Sequence, residues 1–248
     1  MNEKCEGIVI NEVDYRDSDA VITVYTDNYG IIPLYVRGYK KITGRNVLAC
    51  QLFDVSEFLF DLKNGHMSTL KSAYLKNDHA GLKADYDKLT AASVIAEAAR
   101  YLGSETDYRI LKKLLELLES IDQNYLCINL MLCAVLRANG MSPEVDRCAR
   151  CGSQNDIISF SIKEGGFLCR SCYDGTDGSI MDPQFLKKIR LTVKAPVEAY
   201  DKLPALELND PEITDILLKF LETHGEIRLH SAGMLEYFRK NILPEGKL

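Results

Sequence analysis

Several familiar catalytic signatures are absent. The sequence has no GxxxxGK[ST] loop, no GxGxxG, no GxSxG elbow and no HExxH. It therefore lacks the residues for cradling nucleotide phosphates, binding a dinucleotide, presenting a hydrolase serine or holding a protease zinc. Histidine is scarce: His66, His79, His224 and His230 are the four present, with no ligand spacing among them. No apolar run approaches the roughly 18 residues a membrane-crossing helix needs. The longest, 125–136, is broken by Asn129 and is expected to be a buried core helix. The opening Met1-Asn2-Glu3-Lys4-Cys5-Glu6 is polar and acidic, unlike a secretory signal. These absences predict a cytoplasmic protein with no membrane partner and no small-molecule substrate. No internal repeat or low-complexity tract is visible. Asp14, Asp17 and Asp19 form a local acidic group that could hold Mg²⁺ in a nuclease. A nuclease draws its carboxylates from separate elements, so an exposed loop is the plainer expectation and no catalytic residue is assigned.

What is present fits a folded chain of two compact units. There are 248 residues, 46% apolar and 27% charged. The first third carries short segments rich in Val, Ile, Tyr, Phe and Thr at 7–13, 20–26, 31–37, 52–60 and 67–75. Asp27-Asn28-Tyr29-Gly30 and Asn64-Gly65 supply hairpin links. Five strands in so short a span predict a small barrel, an OB-fold first and an SH3-like barrel as its competitor. From about residue 80 the apolar spacing turns helical: Leu89, Ala92, Ala96, Ala99 and Leu102, then Ile110, Leu111, Leu114, Leu115, Leu118 and Ile121. Asn139-Gly140 stops the 125–138 helix, and Asp182-Pro183 and Asp210-Pro211 each start one. Gly225 would stop the second of these, and a last helix is expected over 231–242. The fold class is thus α+β multidomain: a barrel domain at 1–79, then an α-helical domain at 80–248 with an insert at about 144–178.

That insert holds the sharpest signal. Cys148-Ala149-Arg150-Cys151 is followed after 17 residues by Cys169-Arg170-Ser171-Cys172. Two CxxC turns at this separation can aim four thiolates at one ion, closing a tetrahedron with bonds of about 2.3 Å. A closed sphere leaves no place for substrate, so one structural Zn²⁺ is expected, with an iron–sulfur cluster as the minor alternative. Gly152 lets the chain turn away and Gly165-Gly166 fits a hairpin between the halves. Cys5, Cys50, Cys127 and Cys133 are isolated and are expected to be small core residues.

The net charge of −6 argues against a polyanion binder, but the charge is unevenly spread. No acid lies between Asp27 and Asp54, a window holding Arg37, Lys40, Lys41 and Arg45. In the strand ending there, Ile32, Leu34 and Val36 share one face and Tyr35 and Arg37 the other, with Tyr39 as a possible extension. A ring beside a guanidinium can stack bases and hold phosphates; a solvated basic loop would look the same. A second acid-free run, 183–197, carries Lys187, Lys188, Arg190 and Lys194, of which Lys187, Arg190 and Lys194 share a helix side. Arg147, Arg150 and Arg170 flank the cysteines and could touch phosphate or offset thiolate charge.

Taken in order, these parts resemble the RecO family of bacterial DNA repair proteins. The similarity is carried by Asp17-Ser18-Asp19, Val21-Ile22-Thr23-Val24-Tyr25-Thr26, Tyr29-Gly30 and Val36-Arg37-Gly38. It continues in Gly140-Met141-Ser142-Pro143 and Gly165-Gly166-Phe167-Leu168-Cys169. The chain departs from the family at Gly44-Arg45-Asn46, where a basic-Ser pair is usual, and at His230-Ser231. The resemblance implies a non-enzymatic recombination mediator that binds single- and double-stranded DNA and anneals strands. It further implies action with RecR, and often RecF, in loading RecA onto DNA coated by single-strand-binding protein. Arg37, Lys40, Lys41 and Arg45 would then face DNA, with Tyr35 and Tyr39 stacking bases, and Cys148, Cys151, Cys169 and Cys172 would match the zinc positions. Lys187, Lys188 and Arg190 are candidates for the acidic tail of single-strand-binding protein. A protein-interaction adaptor with incidental DNA contact is the rival expectation, favoured by the acidic net charge.

Overall fold

The computed structural model describes residues 2–41, 46–63, 67–102 and 108–235. Arg45, the Asn64-Gly65 link and all of the last expected helix beyond 235 lie outside them.

Five strands form the N-terminal part: β1 (Asn2–Tyr15), β2 (Asp19–Thr26), β3 (Ile31–Val36), β4 (Val55–Asp61) and β5 (Ser68–Asn77). They close in the order β1-β2-β3-β5-β4, antiparallel except for a short parallel pairing of β3 with β5. This is an OB-like barrel. Alternation decides which side chains fill it. Ile22, Val24, Leu34, Val36, Phe58 and Phe60 point inward and are essentially inaccessible. Cys5 and Cys50 are packed among them as small core residues. The β2–β3 link turns at Asp27-Asn28-Tyr29-Gly30. Gly30 takes φ +63°, and the Thr26 N–H and hydroxyl each donate to the Gly30 carbonyl at 2.8 Å.

The first compact unit extends to Ser120, and the second runs from Ile121 to Leu248. The first therefore takes in three helices that the sequence places with the second domain: α1 (Ala80–Ala84), α2 (Tyr86–Ala99) and α3 (Tyr108–Ser120). Polar contacts explain the difference. Lys112 and Tyr108 of α3 reach Glu6 of β1 at 2.7 and 2.8 Å, and Lys83 of α1 pairs with buried Asp54 beside β4. His79, wholly buried, meets Glu119 at 2.7 Å.

In the second unit, α4 (Asn124–Ala138) is buried on nearly every side. Its one interior amide, Asn129, donates to the Asp210 carbonyl at 3.2 Å and accepts from the Thr214 hydroxyl at 2.7 Å. Those partners belong to the start of α6 (Pro211–Gly225). Asp182 caps α5 (Pro183–Lys194) by accepting from the Gln184 N–H at 2.7 Å, and Asp210 caps α6 through the Glu212 N–H at 3.1 Å. Gly225 is the last residue of α6, while the left-handed position that ends it falls on Glu226. Between α4 and α5 lies the hairpin of β6 (Ile157–Ser161) and β7 (Gly166–Cys169). Gly166 is required there: a Cβ would sit 2.2 Å from the Glu144 carbonyl oxygen.

Candidate metal centre and nucleic-acid interface

The two CxxC turns converge. Cys148, Cys151, Cys169 and Cys172 present sulfurs that all lie within 4.8 Å of one another. The Cys151 and Cys169 sulfurs are 3.7 Å apart, too far for a disulfide. The separation matches the edge of about 3.8 Å of a tetrahedron with metal–sulfur bonds near 2.3 Å. The turns are built by backbone: the Gly152 N–H donates to the Cys148 carbonyl at 2.8 Å, and the Cys172 N–H to the Cys169 carbonyl at 3.0 Å. Gly152 takes φ +76°, a conformation a side chain would oppose. Burial works against ionising Cys148, yet backbone N–H groups around its sulfur prevail and hold its thiol down at about 6. Four sulfurs gathered at this spacing suit a soft or borderline divalent ion in a closed, structural site.

Each arginine near the cysteines is engaged. Arg147 meets Glu144 at 2.9 Å and Arg170 meets Asp156 at 3.1 Å. Arg150, inside the first CxxC, reaches the Cys172 carbonyl at 2.7 Å, Glu164 at 2.9 Å and Asp174 at 3.4 Å. It thus ties the first knuckle to the second and to the hairpin turn. Arg150 braces the module, while Arg147 and Arg170 each hold one exposed carboxylate.

The barrel arranges its cations differently. On the outer face, register aligns Val13 of β1 with Val21 of β2 and Tyr35 of β3, and Tyr15 with Asp19. Tyr15 and Tyr35 pack edge to face, with centroids 5.7 Å apart. Arg16 lies over the Tyr15 ring at 5.2 Å. Asp19 braces the group: it accepts the Tyr35 hydroxyl and, at 2.8 Å, the Gly38 N–H. The Gly38 N–H first, and the Tyr35 hydroxyl after it, hold Asp19 below the usual carboxylate range. Asp19 is thereby committed to the fold and not free to form a metal site with Asp14 and Asp17. Asp14 is itself paired with Lys40 at 2.7 Å. Arg37 and Lys41 are exposed on the turn after β3.

Tyr39 departs from the expected platform. Gly38 adopts φ +66°, which breaks the strand alternation and turns Tyr39 inward. The ring is 9% exposed and belongs to the barrel core, and its hydroxyl donates to Glu12 at 2.5 Å. It offers no exposed ring face. The ring beside Tyr35 is that of Tyr15, with Arg16 over it. Their sequence signal was weak, because Arg16 sits in a turn at φ +57° between two aspartate-bearing segments.

On α5, Lys187 is exposed, while Lys188 turns toward Asp210 at 3.2 Å. Arg190 and Lys194 share Asp146, at 2.7 and 2.6 Å. Lys187, Arg190 and Lys194 rim a groove of about 670 Å³ whose floor includes Ile157, Phe167 and Leu186. No described helix is long and apolar enough to cross a membrane.

Comparison with known proteins covers almost the whole chain. Residues 1–78 match the family described as "Recombination protein O N terminal", and residues 83–232 match "Recombination protein O C terminal". The chain is 30% identical over 243 residues to the DNA repair protein RecO of Halalkalibacterium halodurans, spanning 95% of each. It is 25% identical over 256 residues to the RecO of Bacillus subtilis, spanning 100% of each. The RecO of Listeria innocua is 30% identical over 180 residues, 69% of each.

Proposed function

Because the chain belongs to the RecO family of DNA repair and recombination proteins, we propose that it is a non-enzymatic recombination mediator that binds single- and double-stranded DNA and anneals complementary strands. The reading extends to action with RecR and RecF in loading RecA onto DNA coated by single-strand-binding protein, on the nucleoid in the cytoplasm. One observation carries it: two aromatic rings, Tyr15 and Tyr35, lie on one outer barrel wall with Arg16, and Arg37 and Lys41 stand exposed at its end.

The mechanism is electrostatic. Lysine and arginine displace the counterions of phosphates, and rings accept bases without reading them. Two strands held on a neutralising surface repel each other less, so pairing is faster. Because one OB-like surface is formed by strands 2 and 3 with the loop joining strands 1 and 2, Arg16, Tyr35, Arg37, Lys40 and Lys41 fall where oligonucleotides bind such barrels. Arg45 follows them in sequence. The metal is read as one Zn²⁺, held by Cys148, Cys151, Cys169 and Cys172 and serving only to fold its module.

A fluorescence-anisotropy titration with single-stranded DNA at several salt concentrations tests this. Neutralising about four phosphates gives a log–log slope of roughly −3. Salt-independent or undetectable binding would leave the adaptor reading. The acidic net charge and the paired arginines of the metal module favour that second reading. There, Lys187, with Arg190 and Lys194 that share the single carboxylate of Asp146, would receive an acidic protein tail such as that of single-strand-binding protein, and Lys188 would have to leave Asp210 to join them.

A further inference from the structure

Each of two irregularities in the β4–β5 ladder leaves one residue of β5 unpaired. Phe60 stands opposite Leu70 and Leu59 opposite Ser72, which leaves Lys71 without an opposite number. Ser56 stands opposite Leu75 and Val55 opposite Asn77, which leaves Lys76 in the same position. Both inserted residues are lysines. Between them Tyr74 faces Glu57 across the ladder and is 68% exposed, more than any other tyrosine of the described residues. The Lys76 ammonium lies 5.6 Å from its ring centroid. Lys71 is hydrogen-bonded to the Asn2 side-chain oxygen. Glu57 is shared by Lys4 at 2.8 Å and Lys76 at 3.9 Å, and Glu6, opposite Glu57 on β1, is engaged by Lys112 at 2.7 Å, so the nearby carboxylates are paired with lysines.

Bulges re-aim side chains and recur next to functional sites. Lysines and bulges also protect a strand from unwanted pairing, and that role alone would account for Lys71 and Lys76. It does not account for Tyr74. Protection needs no aromatic ring, and a ring left in water forgoes the burial that a tyrosine would gain in a core. A flat ring under one cation, with others alongside, is the arrangement on which an unpaired base stacks while lysines hold its phosphates.

We propose that this wall of the barrel, through Tyr74 flanked by Lys71 and Lys76, is a second contact site for single-stranded nucleic acid. It rests on the DNA-binding reading above and deepens it. Annealing requires a place for each of two strands, and the Tyr15–Tyr35 face supplies one. The second strand meets the β4–β5 wall.

The test uses the full-length protein and a thymidine-rich oligonucleotide carrying 5-iodouracil, photocrosslinked and mapped by mass spectrometry. Adducts are expected on Tyr74 as well as on the Tyr15–Tyr35 face. In parallel, annealing of complementary oligonucleotides is timed for Tyr74→Ala and Tyr74→Phe, with circular dichroism verifying the fold. Losing one stacked base slows annealing by about 5- to 150-fold in Tyr74→Ala, while Tyr74→Phe, which keeps the ring, stays near wild type. No adduct within 68–77 and wild-type annealing by Tyr74→Ala, in a protein whose DNA binding responds to Arg37 and Lys41, would overturn this site alone. A wild-type protein that binds no oligonucleotide overturns it together with the parent reading.

Discussion

The metal module and the barrel carry arginine and lysine in similar proportion, and they use them differently. Around the four cysteines every arginine is spoken for: Arg147 by Glu144, Arg170 by Asp156, and Arg150 by a carbonyl and two carboxylates. On the barrel, the neighbouring acid Asp19 binds a hydroxyl and an N–H and leaves the guanidinium groups of Arg16 and Arg37 to the surface. A count of charges would rate the two regions alike. What separates them is where the nearest carboxylate spends its lone pairs, and that leaves one set of guanidinium groups paired and the other exposed.

The largest effect should come from the metal. Structural zinc in small modules contributes on the order of 10 kcal/mol of apparent binding free energy, so chelation or Cys169→Ser should unfold the 144–178 insert. Elemental analysis and hydrogen exchange report this. The barrel amides should keep their protection and oligonucleotide affinity should hold within about twofold. If DNA binding vanished with the metal, the contrast between the regions would be lost.

Next in size is Arg150→Ala. Removing an outer partner that positions metal ligands costs about 10- to 100-fold in metal affinity, measured as faster transfer to a chelator. Arg147→Ala and Arg170→Ala, each losing one exposed pair, should change little, in keeping with the ~0–1 kcal/mol of such pairs.

For the barrel, Arg37→Ala with Lys41→Ala should weaken single-strand binding by about 10- to 30-fold near 0.1 M salt. The salt slope should become shallower by roughly 1.4, the share of two phosphates. The same anisotropy assay on Arg150→Ala should give a wild-type slope. Equal slopes for both variants would break the distinction.

The smallest effect is one of pH. Asp19 has its carboxyl depressed in the folded state by the Gly38 N–H and the Tyr35 hydroxyl. The folded protein then binds that proton less readily than the unfolded chain, so the stabilisation is present above the ordinary carboxylate value and is lost as pH falls through the depressed one. Asp19→Asn should lower the melting temperature at pH 6, with the gap to wild type closing toward pH 2. A gap of constant size across that range would assign the effect to geometry alone.

The four-cysteine centre was fully legible in the sequence because its information is local: two tight turns and a hairpin at fixed spacing. The barrel was legible where alternation is unbroken, as in Ile22, Val24, Leu34 and Val36, all of which face inward. Alternation failed at Gly38, whose positive φ no neighbouring residue announces, and Tyr39 was misplaced as a result. Ion pairing was illegible for another reason. Asp146 and Arg190 are 44 positions apart, and Arg150 and Asp174 are 24, so only the fold reveals that they meet. The same holds for the three helices that join the first compact unit, because Glu6 and Lys112 are 106 positions apart.

Asn129 has a bearing on all of this. A rod greasy on every flank can roll in its socket at little cost, since one aliphatic neighbour substitutes for another. A lone amide that must find both a donor and an acceptor on α6 allows one angle of roll. Phe220 of α6 in turn lies 6.0 Å from Phe160 of β6, so the helix that a single carboxamide indexes is also the one on which the metal hairpin rests.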